Sequence, residues 1–228
     1  RHLGLIAAAG IARVPLVRRP RVRLAIDSAG RPAESANRIR PMLCAAIERD
    51  GGVILESPLA EALAAVDADI VLVVDGAGPG RDQASASASA AASTLDIYGV
   101  ALVPGEATGF GHTAAGAPML LLPGPPTACL WSYELFSGRA IRRLGGRNPA
   151  LPYRIRTMPT ARKIVSSIGT TEICPVRLRP DGEVEPVASF AEIGLMAAAQ
   201  ADGFVVVPAT SEGYPRGAPV TAHLYDES

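Results

Sequence analysis

Apolar positions fall into two rhythms along this chain. As far as about residue 148, short β-branched runs alternate with apolar residues at helical spacing; beyond it the apolar runs are all short and are divided by turn residues. In the first part, Leu3 to Ala9 predict a short helix that stops at Gly10. Ile11–Val14 and Val22–Ile26 predict strands, the second alternating Val22, Leu24 and Ile26 against Arg21, Arg23 and Ala25, and Asp27-Ser-Ala-Gly30 ends it with turn chemistry. Glu34-Ser-Ala-Asn37 supplies capping residues ahead of a helix from about Arg38 to Asp50. Pro41 then falls in the first turn, where proline is tolerated, and Met42, Leu43, Ala46 and Ile47 form the apolar face. Gly51-Gly52 closes that helix, Val53–Leu55 predicts a strand, and residues 58–66 predict a helix opened by Pro58.

The densest apolar run is Asp69-Ile-Val-Leu-Val-Val74. Continuous beyond Asp69 and mostly β-branched, it has the pattern of a strand buried on both faces of a parallel sheet. It feeds a glycine-rich loop, Asp75-Gly-Ala-Gly-Pro-Gly-Arg-Asp82. An Ala/Ser-rich stretch, 83–94, follows and reads as a small-residue helix in preference to a low-complexity loop. Gly99–Val103 predicts another strand, joined through Pro104–His112 and Gly116–Pro118 to Met119–Leu122 in a hairpin beside the parallel sheet. Met119–Leu122 then runs into Pro123-Gly-Pro-Pro126, and a helix follows over 127–144, closed by Gly145-Gly146.

Pro149 to Pro152 reads as a linker. After it come five short strands, Tyr153–Arg156, Thr171–Leu178, Val184–Val187, Phe204–Val207 and Val220–Leu224, and one helix, Ile193–Ala201. The turns between them include Pro180-Asp-Gly182, Asp202-Gly203 and Tyr214-Pro-Arg-Gly217. The expected architecture is therefore an α/β domain over 1–148, with 1–20 leading into it, and a small β-rich domain over 149–228. So small a β domain buries a modest core by itself and is expected to pack on the larger one.

Composition narrows the chemistry. Of 228 residues, 48% are hydrophobic but only 4% aromatic, so much of the core must be Ala, Val, Leu and Ile. Charges balance at 22 basic and 22 acidic, which gives no electrostatic case for nucleic acid or an anionic membrane. Lys163 is the only lysine, a bias that reads as genome composition. Cys44, Cys129 and Cys174 are odd in number and widely spaced, and form neither a disulfide framework nor a metal motif. No run approaches the roughly 20 apolar residues of a membrane span, and there is no signal-peptide pattern. The chain begins at Arg1 rather than Met, which fits a fragment or a product whose start is missing. A cytoplasmic enzyme or binding protein is the expectation.

Two stretches carry candidate chemistry. In an open α/β sheet, ligands sit outside the carboxyl ends of the strands. At Pro123–Pro126 the prolines fix φ, Gly124 lets backbone approach a ligand, and the helix N-terminus behind them offers unpaired N–H groups to an anion; taken alone, the turn reads equally as a tight connection with no ligand. The loop with Gly76, Gly78 and Gly80 either wraps a phosphate with backbone N–H groups or is a flexible turn. It has neither the Gly-Lys-Ser/Thr of a Walker A loop nor the G-x-G-x-x-G spacing of a dinucleotide site. His112 has the chemistry of a base or a metal ligand, but nothing nearby completes a triad or a metal set, which favours a surface role.

In order and spacing these signals resemble the C-terminal half of the molybdopterin molybdenumtransferase family (MoeA/gephyrin type). Leu122-Pro-Gly-Pro-Pro-Thr-Ala128 is similar to the family's L-P-G-N-P-V-S/A. Gly99, Pro104-Gly105 and Phe110-Gly111 are placed like its P-G-K-P…F-G segment, and Asp69 to Asp82 lies where the family has a strand and S-G-G-x-S-x-G followed by an acid. Ala201-Asp-Gly-Phe-Val-Val-Val-Pro208 resembles the A-D-G strand of its small domain, and Glu34-Ser-Ala-Asn37 lies near its D-S/T-N. Four departures stand out. Asp27-Ser-Ala-Gly30 replaces T-G-D-E, Glu106 replaces the lysine of P-G-K-P, Pro125 replaces asparagine, and Asp75 and Pro79 replace hydroxyl residues. The family's two N-terminal domains have no counterpart in this sequence.

The resemblance implies a mostly parallel, three-layer α/β/α molybdopterin-binding domain over about 20–147 and the family's small β domain over about 151–226. It implies a transferase of molybdenum cofactor biosynthesis that binds adenylylated molybdopterin and inserts molybdate, with nucleotide release and Mg²⁺. The alternative is a non-catalytic molybdopterin carrier or sensor. Ser35, Asn37, Gly76, Gly78, Gly80, Gly105, Pro123, Gly124, Pro126 and Thr127 would then contact the pterin compound. Asp75 and Asp82 would serve catalysis and hold the Mg²⁺, while Glu56, a third acid, reads as a surface group. The partners expected are the pterin and, as in the family, a second copy in a homodimer, with no nucleic acid and no membrane.

Overall fold

The computed structural model describes residues 2–26, 33–74, 93–187 and 194–225, with backbone alone for 33–38. Its centre is β3 (Ile70–Val74), buried along its whole length. β1 (Arg21–Ile26) and β7 (Pro118–Leu122) flank it in parallel, and β2 (Val53–Glu56) extends the parallel set beyond β1. On the other side, β6 (Gly109–Thr113) pairs antiparallel with β7, and β4 (Ser93–Tyr98) pairs antiparallel with β6, giving the order β2-β1-β3-β7-β6-β4. The strand period of two sends Ile70, Leu72 and Val74 to one face and Val71 and Val73 to the other. The first set packs, with Leu24 and Leu122, on Ile39, Leu43 and Ile47 of α2 (Ala33–Arg49) and on Cys129, Tyr133 and Ile141 of a long helix. The second packs, with Met119 and Leu121, on Ala62 and Leu63 of α3 (Leu59–Ala64). Helices therefore cover both faces, which is the three-layer, mostly parallel α/β/α arrangement expected. The long helix is α4 (Pro126–Ser132), a π turn over Tyr133–Ser137, and α5 (Gly138–Leu144). A separate α1 (His2–Ala8) buries no residue.

Beyond it lie β8 (Arg154–Pro159), β9 (Ile164–Val165), β10 (Thr171–Leu178), β11 (Val184–Pro186), α6 (Leu195–Ala199), β12 (Gly203–Val207), β13 (Gly213–Tyr214) and β14 (Pro219–Leu224). A second sheet runs β11-β10-β12-β14-β8, antiparallel throughout, over a core that includes Met158, Val176, Val205, Val207 and Val220. β9 and β13 form a separate ribbon. The two sheets are stitched together by β5 (Leu102–Val103), which leaves the first part of the chain and pairs parallel with Thr171–Glu172 at the start of β10. Around this stitch Leu102, Trp131, Ile173, Ala198 and Phe204 make a shared core, with Tyr153 and Tyr225 against it.

Several local expectations need correction. Ile11–Val14 forms no strand; Ile11 is 51% and Val14 43% exposed, and four residues without a partner strand have no ladder to join. α2 starts at Ala33, so Glu34–Asn37 lies inside the helix and Pro41 in its interior rather than its first turn. A mid-helix proline costs about 3 kcal/mol, offset here by the buried row Ile39, Leu43, Ala46 and Ile47. Of the Gly99–Val103 strand only Leu102 and Val103 pair, and they do so in the second sheet. Gly99, at φ +91°, and the bonds from Gly99 N–H to Thr108 O and from Val100 N–H to Glu106 O fold 99–108 into a closed turn instead. The hairpin beside the parallel sheet is real but lies between β6 and β7. Ser93 and Thr94, at the end of the Ala/Ser-rich stretch, open β4; residues 83–92 lie outside the described ones. Gly111 is required at that pairing, because a Cβ there would stand 1.9 Å from Thr94 O.

A buried ion cluster joins α2 to the long helix. Asp50 is 1% exposed, Glu134 2% and Arg142 3%. Asp50 accepts from Arg142 Nη1 at 2.6 Å, Tyr133 O–H at 3.0 Å, and Arg49 Nε and Nη2 at 3.2 and 2.9 Å. Arg49 grips Glu134 in a fork, Nη1 to Oε1 at 2.9 Å and Nη2 to Oε2 at 3.0 Å. The π turn supplies both Tyr133 and Glu134; its wider winding lets consecutive residues reach the end of α2. Gly138 is packed against the same group, where a Cβ would meet Asp50 Oδ2 at 2.5 Å. Removing one partner leaves the other charge buried and alone, at a cost of about 3–5 kcal/mol. Asp50→Ala is therefore expected to lower unfolding free energy by that order, and Asp50→Asn, which keeps an acceptor for Arg142, by less; urea denaturation of the two variants checks the ranking.

Candidate functional site

Ladder register aligns the strand ends. Ile26 pairs with Val74 and Val74 with Leu122, so β1, β3 and β7 stop in one row. Gly109, at the start of β6, pairs with Leu121 and with Tyr98 at the end of β4, so the turn preceding β6 opens on the same edge. This is the carboxyl edge of the parallel strands, where α/β proteins of this build take their ligands.

Two of the expected segments meet there. At the end of β7, Pro123 and Gly124 are buried, Pro125 caps α4 in an extended conformation, and Pro126 is its first helical residue. Proline lacks the N–H that this position would leave unpaired, and its φ suits the first turn. The first intrahelical bond here runs from Cys129 N–H to Pro125 O. The amides of Thr127 and Ala128 precede it and belong to the set a helix leaves without internal partners. Thr127 itself is 9% exposed.

Gly105 sits in the neighbouring turn. Its φ is +139°, and a Cβ would fall 2.7 Å from Leu102 Cδ2 and 2.8 Å from Ser132 Oγ. Its carbonyl accepts from Thr108 Oγ1 at 2.6 Å, and Thr108 Oγ1 lies 2.7 Å from Ser132 Oγ on α4. The turn is thus fastened to the helix that starts at Pro126. Exposed Glu106 accepts from the Gly105 N–H at 2.9 Å, which sets a carboxylate on this edge. Gly105→Ala combines a left-handed φ with two contacts under 3 Å and is expected to cost about 1–3 kcal/mol; chemical denaturation, with amide exchange at Thr108 as the local reporter, tests it.

The other expected site residues fall differently. Ser35 and Asn37 lie in the first turns of α2, the helix that follows β1 and so begins on the carboxyl edge; their side chains are outside the described residues. Asp75, Gly76, Gly78, Gly80 and Asp82 also lie outside them, directly after β3. Among the described residues no three His, Cys, Asp or Glu side chains gather as a metal set. Glu56, at the end of β2, is ion-paired with Arg40, with Arg40 Nε 2.5 Å from Oε2. His112 stands exposed on β6 with Nδ1 2.8 Å from Asp96 Oδ2, a surface contact across to β4. All three cysteines are free thiols, and burial pushes Cys129 and Cys174 up to about 12, which keeps both protonated and unreactive. No helix among the described residues is long and apolar enough to cross a membrane.

The ion cluster of Arg49, Asp50, Glu134 and Arg142 was not among the residues sequence reading singled out. Its one signal in the chain is Glu134, an acid within the otherwise apolar helix pattern Leu130–Phe136.

An α/β/α unit whose carboxyl edge combines a Pro-Gly-Pro-Pro turn, a helix N-terminus and a glycine turn, stitched to a small antiparallel sheet, defines a two-part α/β protein with an anion-suited edge. Residues 157–225, nearly the whole second sheet, match the family described as MoeA C-terminal region (domain IV). Molybdopterin molybdenumtransferase 2 of Mycobacterium tuberculosis is 30% identical, over 67% of this chain and 44% of that protein. A molybdopterin biosynthesis protein of Methanocaldococcus jannaschii is 26% identical, over 68% of this chain and 36% of that one. The chain thus spans less than half the length of these relatives. Among solved structures, a molybdenum cofactor biosynthesis protein from Pyrococcus furiosus has the same fold at a TM-score of 0.70 with 24% identity, covering 98% of this chain and 74% of that one. The MoeA protein of Pyrococcus horikoshii matches at 0.72 with 23% identity, covering 99% and 59%. The chain is of the MoeA type.

Proposed function

We propose that this protein acts in molybdenum cofactor biosynthesis, binding adenylylated molybdopterin along the carboxyl edge of the first sheet and inserting molybdate into its dithiolene with release of the nucleotide. The observation that carries this reading is the aligned row Ile26, Val74 and Leu122, from which the Pro123–Pro126 turn and the N-terminus of α4 project beside the Gly105 turn. Phosphate and molybdate are anions, and helix N-terminal amides attract them without a charged side chain. The names of the curated relatives, a molybdopterin biosynthesis protein and a molybdopterin molybdenumtransferase, support the same chemistry. Among the described residues no three metal-ligating side chains gather, so Asp75 and Asp82 are the residues that would hold Mg²⁺. The same reading has the protein work in the cytoplasm as a homodimer.

The test is titration of the full-length protein with molybdopterin and its adenylylated form, with and without molybdate and Mg²⁺, following binding and nucleotide release together. Molybdate-dependent release is the expected result. Binding without release would leave a cofactor carrier, and no binding would overturn the reading. Glu106 puts a negative charge beside the edge, so Glu106→Lys is expected to tighten anionic pterin binding. An exposed charge reversal is worth on the order of 1 kcal/mol, so the gain is about fivefold in dissociation constant. It should fade in high salt as surface charges are screened.

A further inference from the structure

Away from the carboxyl edge, the joint between the two sheets forms a pocket of about 410 Å³ that is open to solvent on one side. Its walls come from α2, α4 and α6 together with Tyr153 and Tyr225; its polar groups are Arg49 and Glu134 of the ion cluster, the two tyrosine hydroxyls, and the Trp131 Nε1–H, which is buried without a hydrogen-bond partner. Glu134 lies eight residues beyond Pro126 on one continuous helix, which at 1.5 Å per residue is roughly 12 Å from the helix N-terminus. The volume is that of a small-molecule site, and the lining has the usual character of one, apolar and aromatic with few polar groups.

The chemistry of the polar lining selects the ligand. Every guanidinium N–H of Arg49 is already used: Nε on Asp50, Nη1 on Glu134 and on the Tyr153 oxygen at 2.7 Å, Nη2 on Asp50 and on Glu134. An anion would find no guanidinium donor left and would face the Glu134 carboxylate, whereas a neutral acceptor can take the unpartnered Trp131 Nε1–H. A cation would meet the Arg49 charge directly. Glu134 accepts one bond at each oxygen from Arg49 and a third from the Tyr153 O–H, whereas a carboxylate has about four lone-pair sites. Its remaining capacity is therefore an acceptor in the pocket wall, which is otherwise mostly apolar. Tyr153 and Tyr225 offer ring surfaces beside the buried Trp131, and Tyr153 is packed edge-on against Tyr225 with centroids 5.4 Å apart. Such walls favour a flat ring.

We propose that this cavity binds a small, uncharged aromatic or heteroaromatic molecule that donates an N–H or O–H to Glu134. Bound there, the ligand touches both halves of the chain at once, because α2 and α4 belong to the first sheet's layers and Tyr153, α6 and Tyr225 to the second.

Trp131 is the only tryptophan and lines the cavity, so its fluorescence reads occupancy directly. Benzamide and benzoate share a ring and differ in offering a donor or a negative charge. The full chain is titrated with each, alongside Ala45→Phe, which fills the cavity from an exposed position of α2 and leaves the core intact. Benzamide is expected to give a saturable change with a dissociation constant on the order of millimolar, as suits a fragment of about nine heavy atoms. Benzoate should bind about tenfold more weakly, and Ala45→Phe should lose the benzamide response at an unchanged melting temperature. No saturable response to benzamide, equal binding of benzoate, or full binding by Ala45→Phe would overturn the proposal. Molybdopterin binding, measured on the same variant, is expected to be unchanged, so failure of either reading leaves the other standing.

Discussion

Burial of β3 on both faces is the constraint on which the rest depends. A strand with no exposed side must have helices above and below, and five consecutive residues, Ile70 to Val74, meet that demand without a polar atom. Parallel neighbours then follow from the helical crossovers, and the parallel register carries β1, β3 and β7 to a common finish. The candidate site is a consequence of this alignment. Its turn and its helix N-terminus are located by where apolar strands stop.

Such burial is legible in sequence, and so is the framework built on it. The apolar runs at 22–26, 70–74 and 119–122 declare strands, and the Pro-Gly-Pro-Pro sequence declares both a turn and a helix start. What was not legible depended on contacts between distant segments. Leu102 and Val103 look like any strand, and nothing local shows that their partner is Thr171–Glu172, some seventy residues away. α2 runs through Pro41 because four buried side chains outweigh a local penalty, and only tertiary packing could reveal that balance. The π turn has no sequence signature of its own; its purpose becomes visible once Glu134 is seen against Arg49.

The same limit applies to the site. Pro123, Gly124, Pro126, Thr127 and Gly105 could be named from chemistry and resemblance because each does something a backbone requires locally. The ion cluster eluded that approach, since its four charges come from the end of α2 and from the long helix, more than eighty residues apart in the chain. Charges in such a group are individually unremarkable and gain meaning from desolvation, which leaves no trace in composition. Its balance of two positive and two negative groups explains how a net-neutral chain can hold four of its charges largely out of water.

β5 also bears on how this protein is divided. By sequence pattern the chain splits near residue 148, and by hydrogen bonding it does not, because a two-residue strand from the first part completes the sheet of the second. The glycine turn of the candidate site begins one residue after that strand. Its anchorage is consequently double: Ser132 on one side, the small sheet on the other. A boundary drawn for convenience of expression or shuffling would sever the second anchor. The small sheet is thus a foundation for the candidate site rather than an appendage to it, and each part needs the other to hold that turn in place.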